Sequence, residues 1–480
     1  MTSSTEQIRL DPRNKVVLTV LLVSTFVVFL NETILGVALP QIMEHLHITP
    51  ATGQWLSTSY MLVMAIVIPT TGFLLQRFSL RRAYILAMSL FTVGTLIGAL
   101  APDFSILLIA RIVQAAGTAI MMPLLMTNVM ILVPEAIRGK IMGTISIVMS
   151  VAPAIGPAVS GLVLSVLDWR WLFWLVLPIA AVTLLLGSLR ISSVNEPKDI
   201  PVDALSIVLS ALGFSGLVYG LSSFADAARE TAVVSPYLPL SVGVVFFALF
   251  IWRQLLLQRE DRALLDLRPF RSNEFTIAIV LMAVFMMSLF GVAILTPIYA
   301  QNVLGVTALA TGLFLLPGGL IMGFMGPVVG RLYDRHGGRK LIVPGTFAVA
   351  ASLWSMVTFN EHTWPGWILI VNVVLSLGLA FIFTPLFTVS MSSVPPQLYS
   401  HGSAVLGTVQ QLAGAAGTAL FVTIMTIVST QSQNSAVASL ASGTQAAFLC
   451  GAIISTLALI PAMLVRQPAT PDTRAQELQP

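Results

Sequence analysis

Cysteine, histidine and charge are all scarce in this chain, and each scarcity excludes something. One cysteine, Cys450, in 480 residues leaves no internal disulfide and no thiolate set for a metal cluster. The five histidines, His45, His47, His336, His362 and His401, fall in segments expected to be loops and do not cluster as ligands. Charged residues make up only 9% of the chain. A soluble globular domain carries about 25%, so that class is excluded. No glycine-rich nucleotide loop is present, which removes ATP as a drive and argues against an enzyme.

What the chain has instead is apolar length. Apolar residues make up 56% of it and its mean hydropathy is +0.92. A helix needs about 20 mainly apolar residues to cross a bilayer. Fourteen such segments are found, at 16–40, 53–75, 83–101, 104–128, 139–164, 169–187, 204–223, 234–256, 275–300, 308–332, 341–358, 366–390, 402–427 and 446–465. The runs are continuous, without the in/out alternation of a transmembrane barrel strand. The expected fold class is therefore an all-α polytopic membrane protein with 14 transmembrane helices.

The basic residues set an orientation. Of 24, Arg111 lies within a span, Arg170 and Arg229 fall on one side, and the other 21 share the side of the N-terminus. Cytoplasmic loops carry the excess of Lys and Arg, so both termini are expected to be cytoplasmic in a multi-pass cell-membrane protein. The formal charge of +4 then reflects topology and anionic headgroups, with no nucleic-acid partner. The polar start leads into a span too long for a signal-peptide core, so no cleavable signal is expected.

Internal repeats organise the spans. The loop after span two runs from Gly72 through Gln76, Arg77, Arg81 and Arg82. It aligns without a gap, 258 residues on, with Gly330, Asp334, Arg335, Arg339 and Lys340 after span ten. Arg111, Gly117 and Pro123 of span four match Asn372, Gly378 and Pro385 of span twelve, and Gly139 and Gly402 open spans five and thirteen. Two pseudo-symmetric six-helix bundles are expected, at 1–195 and 271–466. An inserted hairpin with a basic linker lies between them at 196–270, and a cytoplasmic tail follows at 467–480. The linker, rich in arginine from Arg253 to Arg271, reads as a segment held at anionic lipid. Parallel six-span halves are a recurrent transporter architecture with the substrate site near the midplane between them.

These residues resemble a known family. The loop at Gly72 and its copy at Gly330 are similar to the signature of the major facilitator superfamily. Three stretches are similar to motifs of the fourteen-spanner drug:proton antiporters of the EmrB/QacA type: Leu30 to Pro40 in span one, Arg111 to Pro123 in span four, and Pro153 to Gly161 in span five, followed by Trp169, Arg170 and Trp171. The resemblance implies a proton-coupled efflux transporter for amphipathic or cationic toxic compounds, working by alternating access. It departs in two places: the family's first-span acid corresponds to Asn31, with Glu32 its neighbour about 100° further round the helix, and the first copy of the basic loop has Gln76 where its partner has Asp334. Alternatives are a dedicated exporter of an endogenous metabolite or lipid and, from another class, a membrane sensor or scaffold, which the lack of any long soluble segment disfavours.

Glu32 is the one carboxylate well inside a span, and Arg111 the one base. Each costs about 3 kcal/mol to place in hydrocarbon, so such residues face a polar cavity and work there. At 1.5 Å per residue Glu32 lies about 12 Å, and Arg111 about 10 Å, from the outer ends of their helices. Burial favours the neutral acid, whereas a nearby guanidinium favours the carboxylate. A group alternating between those settings takes up and releases a proton. The plainer alternative is a permanent Glu32 to Arg111 ion pair that fixes helix register. Candidate cavity residues are Asn31, Gln54, Trp55, Tyr60, Gln114, Asn372, Gln410 and Gln411, with Met121, Met122 and Met126 as adaptable surface or plain packing. Pro153, Gly156, Pro157 and Gly161 of span five are expected to meet the glycines of span ten and seal one side. Asp334 is expected to accept hydrogen bonds from Arg335 and Arg339, or from the first amides of a facing helix, in a lock that alternating access makes and breaks. Arg77 and Arg81 are placed in the same role. The expected partners are a small-molecule substrate, protons and lipid, with no cofactor or metal, for a chain acting as a monomer.

Overall fold

The computed structural model describes residues 11–191, 201, 203–228, 235–432 and 435–465. Arg9, Lys198, Arg229, Arg466 and Arg474 of the charge tally, and the tail at 467–480, lie outside them. So does the side chain of Gln54. The helices are α1 (Pro12–His45), α2 (Pro50–Arg77), α3 (Leu80–Leu100), α4 (Phe104–Leu132), α5 (Arg138–Leu164), α6 (Arg170–Arg190), α7 (Ala204–Ala228), α8 (Tyr237–Leu257), α9 (Asn273–Asn302), α10 (Ala308–His336), α11 (Arg339–Val357), α12 (Pro365–Ser392), α13 (Tyr399–Gln431), α14 (Ala436–Leu457) and α15 (Leu459–Leu464). The last two form one span, so among the described residues fourteen helical segments are long and apolar enough to cross a membrane. Among the described residues there is no strand.

Local chemistry sets where these helices begin. Asp11, Thr49, Asp103, Ser272, Thr307 and Ser435 each accept, through the side chain, an amide of the first turn that has no partner within the helix. Pro12 and Pro50 open α1 and α2, where a missing N–H costs nothing. These caps carry the helices past the apolar runs: α1 starts at Pro12, before the apolar stretch at 16. At the end of α10 the chain turns at Gly337, whose φ of 79° suits glycine.

The helices pack as two groups joined at one end. In the first half α1 lies on α4, α5 and α6, α2 on α4, and α3 on α4 and α6; in the second α9 lies on α12, α13 and α14, α10 on α12, and α11 on α12 and α14. The halves meet through α5 on α10 and α12, and through α2 and α4 on α13. Both junctions reach the end carrying Arg77, Arg138 and Arg335, called here the basic end. The main contacts of α1 and α9 stay within their own halves. The hairpin α7–α8 straddles the junction, α7 packing on both α2 and α13.

Glycine makes the α5–α10 seam possible. A β-carbon at Gly143 would fall on the Gly326 carbonyl, and one at Gly330 on the Gly139 carbonyl. The backbones therefore touch without intervening side chains. The residues of α5 expected at this seam are not the ones found there. Gly156 packs on Thr33 of α1, Gly161 faces open space and Pro157 is exposed. Pro153 is half-buried one turn before Gly156. The seam instead runs along α5 from Gly139 to Ala154, where Val151 meets Gly323 and Ala154 meets Gly319, with its glycine-on-glycine contacts nearer the basic end.

Overpacking of a tight contact costs about 1–3 kcal/mol. Gly143→Val should therefore insert normally but depopulate the sealed arrangement by about tenfold. Distances between spin labels on the exposed faces of α5 and α10, in a Cys450→Ser background, measure this; an unchanged distribution would contradict the seam.

Candidate functional site

The interior of the first half is organised around Arg111, which is 2% exposed. Its guanidinium lies 3.9 Å from the ring centroid of Tyr60 on α2. A terminal nitrogen donates to Gln114 Oε1 at 3.0 Å and to Asn31 Oδ1 at 3.4 Å. Gln114 donates in turn to Thr95 of α3 at 2.9 Å, and the Tyr60 hydroxyl donates to Thr118 at 2.7 Å. Arg111 Nε has no protein partner among the described residues. Four helices thus supply one polar cluster, and every side chain bonded to the buried cation is neutral.

Glu32 stands next to this cluster, not in it. The residue is partly buried, and its carboxylate lies within electrostatic range of Arg111 and Tyr60. Among the described residues it makes no ion pair with Arg111. The helical step from Asn31 to Glu32 accounts for this: Asn31 occupies the face of α1 turned to Arg111, and Glu32 is carried about 100° round. A permanent register-fixing pair is therefore not what the geometry provides. It provides a carboxylate in the field of a positive charge held in place by neutral partners.

The other candidate residues divide. Tyr60 is 1% exposed and serves as a platform under Arg111, not as cavity lining. Trp55, 44% exposed, turns away from the first half's interior and stacks on Tyr219 of α7 at 6.1 Å. Together they line a small cavity of about 220 Å³ between α2 and the hairpin. Asn372, the counterpart of Arg111, is buried on α12 against Gly318 of α10 and accepts from Ser376 at 3.3 Å. Gln410 and Gln411 are half-buried on α13, and Gln410 Nε2 has no partner among the described residues. Met121 and Met126 are buried and Met122 partly so, all three packed in the first half. Thr95 and Thr118 were not singled out from the sequence, although Thr118 lies two turns from Arg111 on the face shared with Gln114, a spacing that points to it.

At the basic end the two halves are clasped by polar bonds. Asp334, at the end of α10, accepts from the Gly139 amide at 2.9 Å and the Lys140 amide at 3.0 Å. These are first-turn amides of α5, where the helix dipole favours an anion. Of the partners named from the sequence, the facing amides take Asp334, not Arg335 or Arg339, which are exposed. Ser146 of α5 bonds Thr384 of α12 at 2.7 Å, and Thr127 of α4 bonds Ser403 of α13 at 2.8 Å. Arg81 donates to the Ser188 carbonyl of α6 at 3.0 Å, within its own half, and Arg77 lies 6.0 Å from the Phe73 ring. Gly72 packs on His401. His401, expected from the sequence in a loop, lies inside α13 and is 4% exposed, because the helix begins at Tyr399, before the apolar run. His45 and His336 likewise end α1 and α10. Among the described residues no group of His, Cys, Asp and Glu is placed to hold a metal ion.

Comparison with known proteins agrees with this architecture. The family profile described as Major Facilitator Superfamily matches residues 21–418. The chain is 39% identical over 473 residues to the MFS-type transporter YcnB of Bacillus subtilis, covering 98% of each. It is 37% identical over 457 residues to a protein of Listeria monocytogenes named lincomycin resistance protein LmrB, covering 93% of this chain and 95% of that one. The fold matches the crystal structure of the human organic anion transporter MFSD10 with a TM-score of 0.69 at 14% identity, over 94% of this chain and 100% of the other.

Asp334→Ala removes the acceptor for two amides. A hydrogen bond to a charged group contributes about 1.5–3 kcal/mol when shielded, less where solvent reaches it as here. The sealed arrangement should lose about five- to tenfold in population. Label distances across α5 and α10 report it, and a distribution like that of the unaltered protein would show that the clasp contributes nothing.

Proposed function

The chain belongs to the major facilitator superfamily, and on that premise we propose that it exports amphipathic or cationic toxic compounds across the cell membrane in exchange for protons. Relatives named for lincomycin and multidrug resistance support the substrate class. The observation that carries the coupling is Glu32: a partly buried acid in the field of Arg111, whose bonded partners Asn31 and Gln114 and ring neighbour Tyr60 are all uncharged.

The cycle follows from elementary electrostatics. With the basic end cytoplasmic, as the distribution of Lys and Arg indicates, the sealed junctions close the cell side and Glu32 is reached from outside. Protonation there leaves a neutral side chain, which crosses the closed, drier intermediate at little cost. Opening of the basic end requires Asp334 to leave α5 and the α5–α10 seam to part. It exposes Glu32 to the cytoplasm, where the acid releases its proton and a cationic or amphipathic substrate takes up the compensating interaction. The field of Arg111 favours the released, charged form. Exchange of one proton for one monovalent cation moves no net charge, whereas a neutral substrate makes the cycle electrogenic, each charge gaining about 2.3 kcal/mol per 100 mV. The chain acts as a monomer in this scheme, with both termini cytoplasmic and no cofactor.

Substrate-induced proton release from purified protein tests the reading. The unaltered chain should release protons on substrate addition and Glu32→Gln should release none. Export that kept its dependence on the pH gradient in Glu32→Gln vesicles would exclude the role given to this residue.

A further inference from the structure

The two junctions at the basic end are related by the repeat but are not closed in the same way. At α10 and α5 the acid Asp334 holds the first amides of the facing helix. At α2 and α13 the equivalent position is Gln76, a neutral side chain that donates to the Gln397 carbonyl at 3.3 Å. Among the described residues, the position equivalent to Asp334 in this second junction thus holds no carboxylate. Its place beside α13 is taken by the segment that follows the inserted hairpin.

The middle of that segment is built into the protein. Ala263, Leu264, Leu265 and Asp266 are each 5% exposed or less. The Leu264 and Leu265 amides donate to one oxygen, Gln254 Oε1 of α8, at 2.8 and 3.1 Å. The Gln254 amide nitrogen donates to Ser206 of α7 at 2.8 Å. Ser206 bonds Asp203, and Asp203 holds Arg253 of α8 by two bonds of 2.7 and 2.8 Å. These bonds from Arg253 pull the Asp203 carboxyl down to about 2, so the pair stays charged at neutral pH. The next amide, that of Asp266, donates to His401 Nδ1 at 3.2 Å. A backbone N–H can only donate, so Nδ1 is the acceptor there. His401 also packs directly on Gly72, where a β-carbon would strike its ring. One imidazole is thus the meeting point of α2, α13 and the linker. A polar cavity of about 560 Å³ lies beside it, lined in part by Gln76, Asp266, Arg268 and Gln397.

We infer that the inserted hairpin latches the α2–α13 junction, with Gln254 and His401 as the positioning residues that carry the linker into the seal. The hairpin is placed for this, since α7 rests on both α2 and α13. Parting α2 from α13 separates His401 from Gly72, and the linker then stays with one helix or leaves both. The inference rests on the alternating-access reading above. It assigns the two extra spans a task in the cycle: they take over, in the first half's junction, the closure that Asp334 performs in the second.

Its test does not use transport, so it fails or survives independently of proton coupling. Hydrogen exchange in the unaltered purified protein should show the amides of Leu264, Leu265 and Asp266 protected at least tenfold over an unstructured peptide. Asp334→Ala, which favours the open basic end, should lower that protection several-fold. Labels at Arg82 and Pro396, both exposed, report the separation of α2 and α13. His401→Leu should move that distribution several-fold toward the separated form. His401→Asn, whose Oδ1 stands where Nδ1 stood, should keep it unchanged. Unprotected amides in the sealed, unaltered protein would overturn the inference even if every variant misfolded. A folded His401→Leu with unaltered distances would overturn it as well.

Discussion

A guanidinium buried among apolar helices has to be held, and the arrangement of the first half follows from how Arg111 is held. Leaving its charge without partners would cost several kcal/mol. Asn31 must therefore come from α1, Tyr60 from α2 and Gln114 from the adjoining turn of α4, with Thr95 of α3 fixing Gln114. These requirements bring four helices to one point. They also leave the cation with no counter-ion among its bonded partners, which makes the neighbouring Glu32 carboxylate sensitive to any change in access. On the proposed reading that sensitivity is the coupling: the protein keeps the cation fixed and lets the acid change state.

The closed end is governed by a different constraint. Two halves that must part cannot be joined by a large interlocked core, so their contact relies on small residues and a few polar bonds. Gly139, Gly143, Gly326 and Gly330 bring backbones together, and Asp334, Ser146 and Thr127 add directional bonds that solvent can replace when the halves separate. The repeat does not impose equal closure on both junctions. One of them has Gln76 in place of the acid, and the hairpin and its linker lie against that one.

The features legible in the sequence were those with a periodic or repeated signature. The spans follow from apolar runs, and the fold class from their number. Asn31 and Glu32 on different faces of α1 follow from the helical period alone. Amides of a facing helix are one of the two kinds of partner the sequence offers Asp334, the other being Arg335 and Arg339, and the fold chooses between them. What escaped depended on contacts between elements with no counterpart in the repeat. Trp55 reads as a cavity aromatic until the hairpin brings Tyr219 to it. His401 reads as a loop residue because the apolar run begins after it, whereas the helix begins at Tyr399. The arginine-rich linker shows its charges in the sequence, whereas the burial of Ala263 to Asp266 and the bonds that Arg253 and Arg268 make to Asp203, Asp261 and Asp266 appear only in the fold. The seam on α5 was misplaced along the helix, from Gly139 and Gly143 to Gly156 and Gly161, because a glycine pattern shows that a helix is approached closely without showing at which end.

Infrared difference spectroscopy on the purified protein in lipid, recorded as substrate is added, tests most directly whether Glu32 is the group that changes state. The account predicts loss of a protonated-carboxyl stretch, gain of a carboxylate band, and absence of both in Glu32→Gln. A carboxyl signal that persists unchanged in Glu32→Gln, or no signal in the unaltered protein while substrate binds, would contradict it.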